Sequence, residues 1–204
     1  MAHPIFSSPR RLIAVALAGL LAGIGIAAAA EPSPKRGGTL EFAVLVEPND
    51  YDCHANISFA VLHPVAPHYS TLLKFDGPNY PQVVGDLADA WSVSPDRRTY
   101  TFKLRPNALF HDGSKLTSAD VKASYQRIID PPPGVVSARR VDYTAISGID
   151  TPDPRTIVFH LAWPEAAMLA NFASPWNCIY SAAIRSSRCG GVTPRNSPRI
   201  LPLL

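Results

Sequence analysis

The pair of residues best suited to acid–base chemistry in this sequence is His111-Asp112. An imidazole and a carboxylate that share one reacting atom could act as general acid and base. Adjacent residues rarely converge on one atom, however, and Asp112-Gly113 is a turn signal. The sequence also lacks the G-x-S-x-G and H-E-x-x-H motifs that would indicate an exported hydrolase. We therefore expect a turn at this position and no enzyme activity.

Three histidines, His54, His63 and His68, raise the hypothesis of a metal site. Their spacing is irregular, and Pro64 and Pro67 interrupt any helix that would place them on one face. We therefore expect neither a metal site nor a cofactor.

The three cysteines, Cys53, Cys178 and Cys189, have no spacing that matches a metal knuckle or a CxxC redox pair. In an oxidising compartment they allow one disulfide and one remaining thiol. Cysteine is also among the most buried residue types, and we expect these three to act as small buried hydrophobic side chains. A Cys53–Cys178 disulfide is the alternative that the sequence leaves open.

Residues 1–30 have the pattern of a secretory signal peptide. Arg10 and Arg11 precede an uncharged run at 12–26, and small residues at 27–30 offer a cleavage site. A membrane anchor would need about 20 apolar residues, so this run is short for that role. The residues around the arginine pair match the twin-arginine motif only loosely, which favours Sec export over Tat. We expect a mature protein in the periplasm.

The net charge of +3 is unevenly distributed along the chain. Residues 31–184 hold 13 Lys and Arg against 16 Asp and Glu, which gives a body of about −3, whereas residues 185–204 hold four Arg and no acid. Binding to nucleic acid needs a clustered basic face. An acidic body excludes that class, so we expect no nucleic-acid partner.

The elements that would position these residues follow from periodicity and turn signals. Alternating apolar and polar residues predict antiparallel strands at 99–104 and 156–161, and segment 141–149 is expected to pair beside the second strand. The Asp- and Pro-rich residues 150–154 predict a turn. Because the signals are mixed and mostly antiparallel, without a βαβ repeat, the predicted class is mixed α/β of the α+β type.

A helix is predicted to begin after Thr117 as N-cap, with Asp120 in the capping-box position. Val121, Tyr125 and Ile128 form its apolar stripe, and a run of prolines ends it.

Other elements are predicted on either side of this central part. Residues 39–46 have the composition of a central strand, and the prolines at 64 and 67 make any helix within 57–73 short or kinked. A proline at 164 predicts a helix over 165–172, followed by an extended segment at 176–180.

Residues 185–204 differ from the rest of the chain. They are rich in Arg, Ser, Gly and Pro and lack both acidic residues and periodicity. We expect an unrelated tail, either the product of a frameshift or a basic disordered segment, behind a body at 31–184.

Four blocks within this body resemble successive blocks of the family 5 solute-binding proteins, which serve peptide, dipeptide and nickel ABC importers. The resemblance runs from about residue 37 to residue 183. The blocks are Gly37-Gly38-Thr39-Leu40, Leu87-Ala88-Asp89-Ala90-Trp91-Ser92-Val93-Ser94, Tyr100-Thr101-Phe102-Lys103-Leu104-Arg105-Pro106 and Phe110-His111-Asp112-Gly113-Ser114-Lys115-Leu116-Thr117-Ser118-Ala119-Asp120-Val121.

The resemblance implies a lobe of the type II periplasmic-binding-protein kind, with an antiparallel-rich sheet subdomain. Members of the family are much longer than this chain and close two lobes around the ligand, so we expect a truncated, N-terminal part. Closure excludes water and strengthens the hydrogen bonds inside a cleft. Binding by one lobe is therefore expected to be weak or absent.

In this family the loop after the first strand faces the cleft. The resemblance thus implies Asn56, Ile57, Ser58 and Phe59 as ligand-binding residues, with Trp176 as an aromatic wall. The implied partners are a peptide or other small solute and the membrane permease subunits of an ABC importer, with a monomeric binding protein. The alternatives are a truncated remnant with a structural or interaction role or no function, and an exported hydrolase.

Overall fold

The structure is a computed structural model that describes residues 37–39, 41, 43, 46–48 and 50–183. The chain divides into two units, Met1–Phe42 and Ala43–Leu204. All of the helices and strands below lie in the second unit. Their bounds, with the helices and strands numbered among the described residues, are α1 Phe59–Val65, β1 Leu73–Phe75, β2 Val83–Gly85, β3 Ala88–Val93, β4 Thr99–Leu104, α2 Ser118–Ile129, a 3-10 turn Arg140–Tyr143, β5 Ile146–Asp153, β6 Thr156–Leu161 and α3 Met168–Phe172.

Four strands form an antiparallel sheet in the order β3-β4-β6-β5. Strands β4 and β6 have the bounds predicted from their alternation, and Tyr100 and Phe102 of β4 lie opposite Phe159 and Ile157 of β6. All four of these side chains are buried in the main hydrophobic core. The antiparallel sheet and the mixed α and β composition are therefore confirmed.

Helix α2 packs its predicted apolar stripe onto this sheet. Val121, Tyr125 and Ile128 are at most 1% exposed, and the ring of Tyr125 lies 4.9 Å from that of Phe159. The N-terminus of the helix is as predicted, since Asp120 accepts the backbone N–H of Thr117 at 2.9 Å and closes the capping box. Local sequence signals thus placed this helix correctly.

The Asp120 carboxylate also ties helix α2 to the segment that follows the sheet. Its second oxygen accepts the backbone N–H of Ala182 at 2.8 Å, and the residue is 8% exposed. We expect Asp120→Ala to lower the free energy of unfolding by about 2 kcal/mol, since it removes a cap and leaves two partly buried N–H groups unpaired. Asp130→Ala, at the exposed C-terminal end of the same helix, is the matched control and should change stability by less than about 0.5 kcal/mol in urea denaturation. Equal changes in the two variants would contradict this assignment.

The predicted central strand at 39–46 is not found in the described residues of that segment. Thr39, Glu41, Ala43 and Val46 are exposed and carry no strand assignment, and the remaining positions lie outside the described residues. A strand is stabilised by the neighbour with which it shares hydrogen bonds. None of the described strands pairs with this segment.

Two further element bounds differ from prediction. The strand expected at 141–149 begins at Ile146 and continues to Asp153, so the Asp- and Pro-rich stretch is strand and only its end is a turn. A 3-10 turn occupies Arg140–Tyr143 instead. The helix expected over 165–172 is confined to Met168–Phe172. In each case pairing with β6 or burial against the core overrides local propensity.

Strands β1 and β2 were not predicted, because three residues are too few to display a period. They pair with each other as a two-stranded sheet. Gly85 ends β2 where the chain turns tightly toward β3. A Cβ atom at this position would lie 2.3 Å from the carbonyl oxygen of Ala88, so only glycine fits.

Within the described residues, no helix has both the length and the apolar composition that a membrane span requires.

Candidate functional site

A second hydrophobic cluster lies apart from the main core and supports helix α1. We call it the disulfide cluster. It combines three residues of α1 with residues from the loop before the helix and from the segment after α3, which brings together parts of the chain more than a hundred residues apart. Its members are Cys53, Val61, Leu62, Val65, Trp176 and Cys178, with Tyr51, Tyr69 and Tyr180 packed against them.

A disulfide joins Cys53 to Cys178 at the centre of this cluster. Both residues are buried, at 0% and 1% exposure. The expectation that these cysteines are free buried side chains is therefore wrong, and the alternative pairing is the one observed. Free cysteines and a disulfide would both be buried, so burial could not distinguish the two possibilities. What decides between them is that the fold brings the two segments together. Cys189 lies outside the described residues.

A buried ion pair lies beside the disulfide. The guanidinium of Arg127, on α2, donates from its two terminal nitrogens to the two carboxylate oxygens of Asp52. The side chains are only 8% and 14% exposed. Arg127 also lies over the ring of Tyr180, 5.9 Å from its centroid. The pair connects the loop before α1 to the helix that covers the sheet.

The same carboxylate receives further hydrogen bonds from its own loop. It accepts the backbone N–H of His54 at 3.0 Å, and the Tyr180 hydroxyl lies 3.4 Å from it. Burial alone would raise the pKa of Asp52, but the hydrogen bond and charge of Arg127 outweigh burial and lower it. Asp52 is thus an ionised carboxylate held inside the fold.

His54 is enclosed on all sides, with 0% exposure. Its Nε2 lies 2.8 Å from the carbonyl oxygen of Cys178, and its ring lies 4.7 Å from that of Tyr180. Burial lowers the pKa of His54 to about 4, although the charge of Asp52 acts in the opposite direction. A buried, neutral imidazole follows. Sequence reasoning singled out this residue only as a possible metal ligand.

The loop that continues from this network and the first residue of α1 carry four of the residues implied as ligand contacts. Asn56 donates from its side chain to Asp50 at 2.8 Å, and Ser58 caps α1 by accepting the N–H of Ala60 at 3.2 Å. Ile57 and Phe59 are 69% and 65% exposed. The end of the loop and the start of α1 therefore present two apolar side chains to solvent, next to local hydrogen bonds that hold this segment.

Trp176, the fifth of these residues, is placed differently. It is 5% exposed and belongs to the disulfide cluster beneath α1. The guanidinium of Arg139 lies over its ring at 5.5 Å from the centroid. An aromatic wall must present a ring face to its ligand, and Arg139 already covers one. In this structure Trp176 acts as packing that supports α1.

A surface cleft of about 450 Å³ lies between the end of α1, strand β1 and the residues after α3. Its lining includes Tyr69, Lys74, Phe75 and Asp86. Asp86 is engaged there, since its carboxylate accepts the backbone N–H of Thr71 at 2.9 Å. Sequence reasoning missed this cleft, because its lining comes from four short segments without a shared motif.

The other residues considered for chemistry have structural roles. Asp112 accepts the backbone N–H of Ser114 at 2.9 Å and its hydroxyl at 2.6 Å, so the predicted turn at this position is confirmed. Gly113 has φ +84°, which favours glycine.

Metal-binding side chains are not grouped in the described part of the chain. No set of three or more His, Cys, Asp or Glu side chains there is arranged to hold a metal ion. His63 instead packs against Phe59, with ring centroids 5.6 Å apart.

Comparison with known sequences places this chain among binding proteins. The family described as bacterial extracellular solute-binding proteins, family 5 Middle, matches residues 82–187. The chain is 31% identical over 179 residues to di/tripeptide-binding protein 2 of Pseudomonas aeruginosa, covering 80% of this chain and 33% of that protein. It is 36% identical over 129 residues to di/tripeptide-binding protein 4 of the same organism, covering 56% and 24%. The chain thus spans about a third or less of the length of these curated relatives.

Comparison with solved structures gives the same fold. The periplasmic binding protein AgaA of A. tumefaciens R10, in complex with agropinic acid, has a TM-score of 0.66 and 32% identity, covering 72% of this chain and 29% of that one. DppA of Helicobacter pylori, in complex with the peptide STSA, has a TM-score of 0.61 and 28% identity, covering 67% and 30%. The expected type II periplasmic-binding-protein fold is confirmed over this part of the chain, and the relatives are binding proteins rather than enzymes. This chain belongs to family 5 of the bacterial extracellular solute-binding proteins.

Proposed function

We propose that this chain serves as the extracytoplasmic substrate-binding component of an ABC importer and captures a peptide or related small solute. In this proposal the protein is a periplasmic monomer that delivers its solute to membrane permease subunits. The chain comprises a Sec signal peptide at 1–30, a solute-binding body at 31–184 and an unrelated tail at 185–204. Two of the relatives are di/tripeptide-binding proteins by name, and their substrate class supports a peptide ligand here.

The observation that carries this proposal is the exposed apolar pair Ile57, on an anchored loop, and Phe59, at the start of α1. Exposed apolar side chains gain free energy when a ligand covers them. The disulfide at Cys53, the Asn56–Asp50 hydrogen bond and the Ser58 cap hold the loop, so little conformational entropy is lost on binding. Polar groups of Asn56 and Ser58 lie beside the pair, which suits a ligand with both backbone amides and apolar side chains.

Trp176 remains in this proposal as an indirect contributor. Its ring packs against the buried side chains of α1. Arg139 covers one face of the ring and would have to move before a ligand could contact that face. Asn56, Ile57, Ser58 and Phe59 are therefore the proposed contacts, and Trp176 keeps their helix in place.

The test is binding of di- and tripeptides with apolar side chains, measured by changes in NMR amide shifts of the full chain. We expect a Kd in the millimolar range, because the residues described here form one side of a cleft and closure supplies much of the affinity. Phe59→Ala should weaken binding about tenfold, since covering an exposed phenylalanine contributes about 1.5–3 kcal/mol.

Val141→Ala is the matched control, because Val141 is also exposed, at 74%, but lies on the 3-10 turn. This variant should bind like the unsubstituted chain. The proposed contacts would be wrong if Phe59→Ala and Val141→Ala bound equally well. The proposed substrate class would be wrong if no peptide changed the amide shifts of loop 55–59.

A further inference from the structure

The imidazole of His54 has an unusual hydrogen-bonding state. A carbonyl oxygen only accepts hydrogen bonds, so the contact with Cys178 requires that Nε2 carry the proton of the neutral ring. Nδ1 then presents a lone pair, and this buried atom has no hydrogen-bond partner. A proton arriving at Nδ1 would create a charged N–H without an acceptor in a site closed to water. That state is strongly unfavourable.

The charged groups around His54 do not offset this cost. Asp52, on the same loop, is the carboxylate nearest to His54 along the chain, but Arg127 on α2 already pairs with both of its oxygens. If His54 were protonated, its imidazolium and the guanidinium of Arg127 would have to share the single carboxylate of Asp52. The charge of Arg127 itself disfavours the protonated imidazole.

Among the described residues, Asp52 is the carboxylate whose charge acts on the pKa of His54, and the other elements packed around the ring bring no second one to bear on it. From the segment after α3, Tyr180 presents its ring, and its pKa is raised well above 10.0 by burial, so this group stays neutral. From the loop before the 3-10 turn, Ala138 donates its N–H to the backbone oxygen of His54 at 3.0 Å. The next residue, Arg139, adds positive charge on that side and pairs with Asp142.

We propose that His54 is an acid-sensitive latch, in which proton uptake at Nδ1 breaks the hydrogen bonds and ion pair that hold loop 50–58 to helix α2 and to segment 176–180. The loop then stays joined to that segment only by the Cys53–Cys178 disulfide, which becomes exposed to water. The opened loop exposes the imidazole to water, where a protonated ring is readily solvated. Because Asn56, Ile57 and Ser58 lie on this loop and Phe59 follows it as the first residue of α1, opening would also displace the proposed ligand contacts. The latch itself requires no ligand.

The direction of the pH dependence follows from linkage. The pKa of His54 is about 4 in the closed loop, below its ordinary value of 6.5, because the side chain is buried. The closed form is therefore fully favoured above pH 6.5, and this advantage is lost as the pH falls to about 4. Each unit of pKa difference is a factor of ten, but the open form is already half protonated at pH 6.5 and the closed form is half protonated at pH 4. The opening equilibrium should therefore rise about 80-fold across this window. Asp52 stays ionised in the window, since its pKa is lowered from 3.8.

The test measures how fast a water-soluble phosphine reduces the Cys53–Cys178 disulfide in the full chain. The phosphine is oxidised to its oxide with oxygen from water, and the disulfide becomes two thiols, which peptide mapping distinguishes from Cys189. Rates are divided by those of a short disulfide peptide to remove the pH dependence of the reagent. Since the disulfide is buried, its reduction reports opening. We expect the rate ratio to rise by about 80-fold as the pH falls from 6.5 to 4.

His54→Gln should abolish this rise, because a glutamine amide can donate to the Cys178 carbonyl but does not titrate. His160→Gln is the matched control: His160 is exposed and pairs with Asp150 at 3.0 Å, so this variant should keep the full rise. The proposal is overturned if the unsubstituted chain gives a flat ratio, or if His54→Gln rises as steeply. Should His54→Gln fail to fold, an NMR titration of the unsubstituted chain decides, and a His54 pKa at or above 6.5 in the closed loop overturns the latch. None of these measurements depends on peptide binding. A failure of the latch can therefore be distinguished from a failure of the proposed function.

Discussion

Replacing Cys53 and Cys178 together by alanine is expected to lower the free energy of unfolding by about 5 kcal/mol. The two cysteines are 125 residues apart, so the bridge closes most of the described chain into one loop. In the chain-entropy model, a bridge across a loop of this length removes about 5 kcal/mol of freedom from the unfolded state. The measurement is guanidinium denaturation of the oxidised proteins, with the midpoint and slope fitted together.

Cys189→Ala is the control for this pair, because it removes a thiol and retains the bridge. Its denaturation midpoint should stay within error of that of the unsubstituted chain. If the double variant were destabilised by less than about 1 kcal/mol, the bridge would contribute little, and residual structure in the unfolded chain would have to hold the two segments close already. Loop 50–58 should also lose protection from amide exchange in the double variant, since it loses its covalent anchor.

Arg127→Met is expected to lower the free energy of unfolding by about 3–5 kcal/mol. The substitution preserves most of the apolar volume but leaves the Asp52 carboxylate buried without its cation. An unpaired buried carboxylate is costly, and its pKa should rise because burial then acts unopposed. The stability of Arg127→Met should therefore increase as the pH falls toward 4, whereas that of the unsubstituted chain does not.

Two further variants separate charge from packing. Adding Asp52→Asn to Arg127→Met should restore part of the lost stability, since the amide removes the unpaired charge and still accepts the N–H of His54. Lys103→Met is the matched control, because Lys103 and Asp153 form an exposed pair at 3.7 Å with 55% and 47% side-chain exposure. That variant should cost less than about 1 kcal/mol. Equal losses for Arg127→Met and Lys103→Met would contradict the importance of burial.

The ion pair of Asp52 and the disulfide of Cys53 involve adjacent residues, and both attach the same loop to distant parts of the chain. The disulfide fixes this loop to the segment after α3, and the ion pair fixes it to α2. The loop before α1 is thereby attached at two points to the part of the chain that carries the sheet. This rigidity bears on the proposed contacts, because a loop that is already ordered loses less entropy when it meets a ligand.

Local patterns in the sequence predicted helix α2 and strands β4 and β6 with accurate bounds. The reason is that a capping box, a stripe such as Val121 and Tyr125, and alternation such as Tyr100 and Phe102 are all read within a few residues. The family resemblance depends on the same stretch, since its blocks include the turn at Asp112 and the capping box, and the matching region begins at residue 82.

The candidate site was only partly predictable. Ile57 and Phe59 were implied by resemblance, and the structure adds that both side chains are exposed. Trp176 could not be placed from sequence, because its burial depends on helix α1, which lies more than a hundred residues earlier in the chain. His54 was considered from sequence only for a metal role, which the irregular spacing argued against. Its enclosure could not be predicted, since nothing in its neighbourhood along the chain indicates it.

The sequence by itself determined the family, the antiparallel sheet, the helix that covers it and the turn at Asp112. These features follow from hydrogen bonding and hydrophobic faces within short segments. Only the tertiary structure decided which distant residues meet: Cys53 with Cys178, Asp52 with Arg127 across 75 residues, and His54 with the carbonyl of Cys178 across 124. Such contacts depend on the path of the whole chain, which brings the loop before α1 and the segment after α3 together, and no local pattern encodes that path.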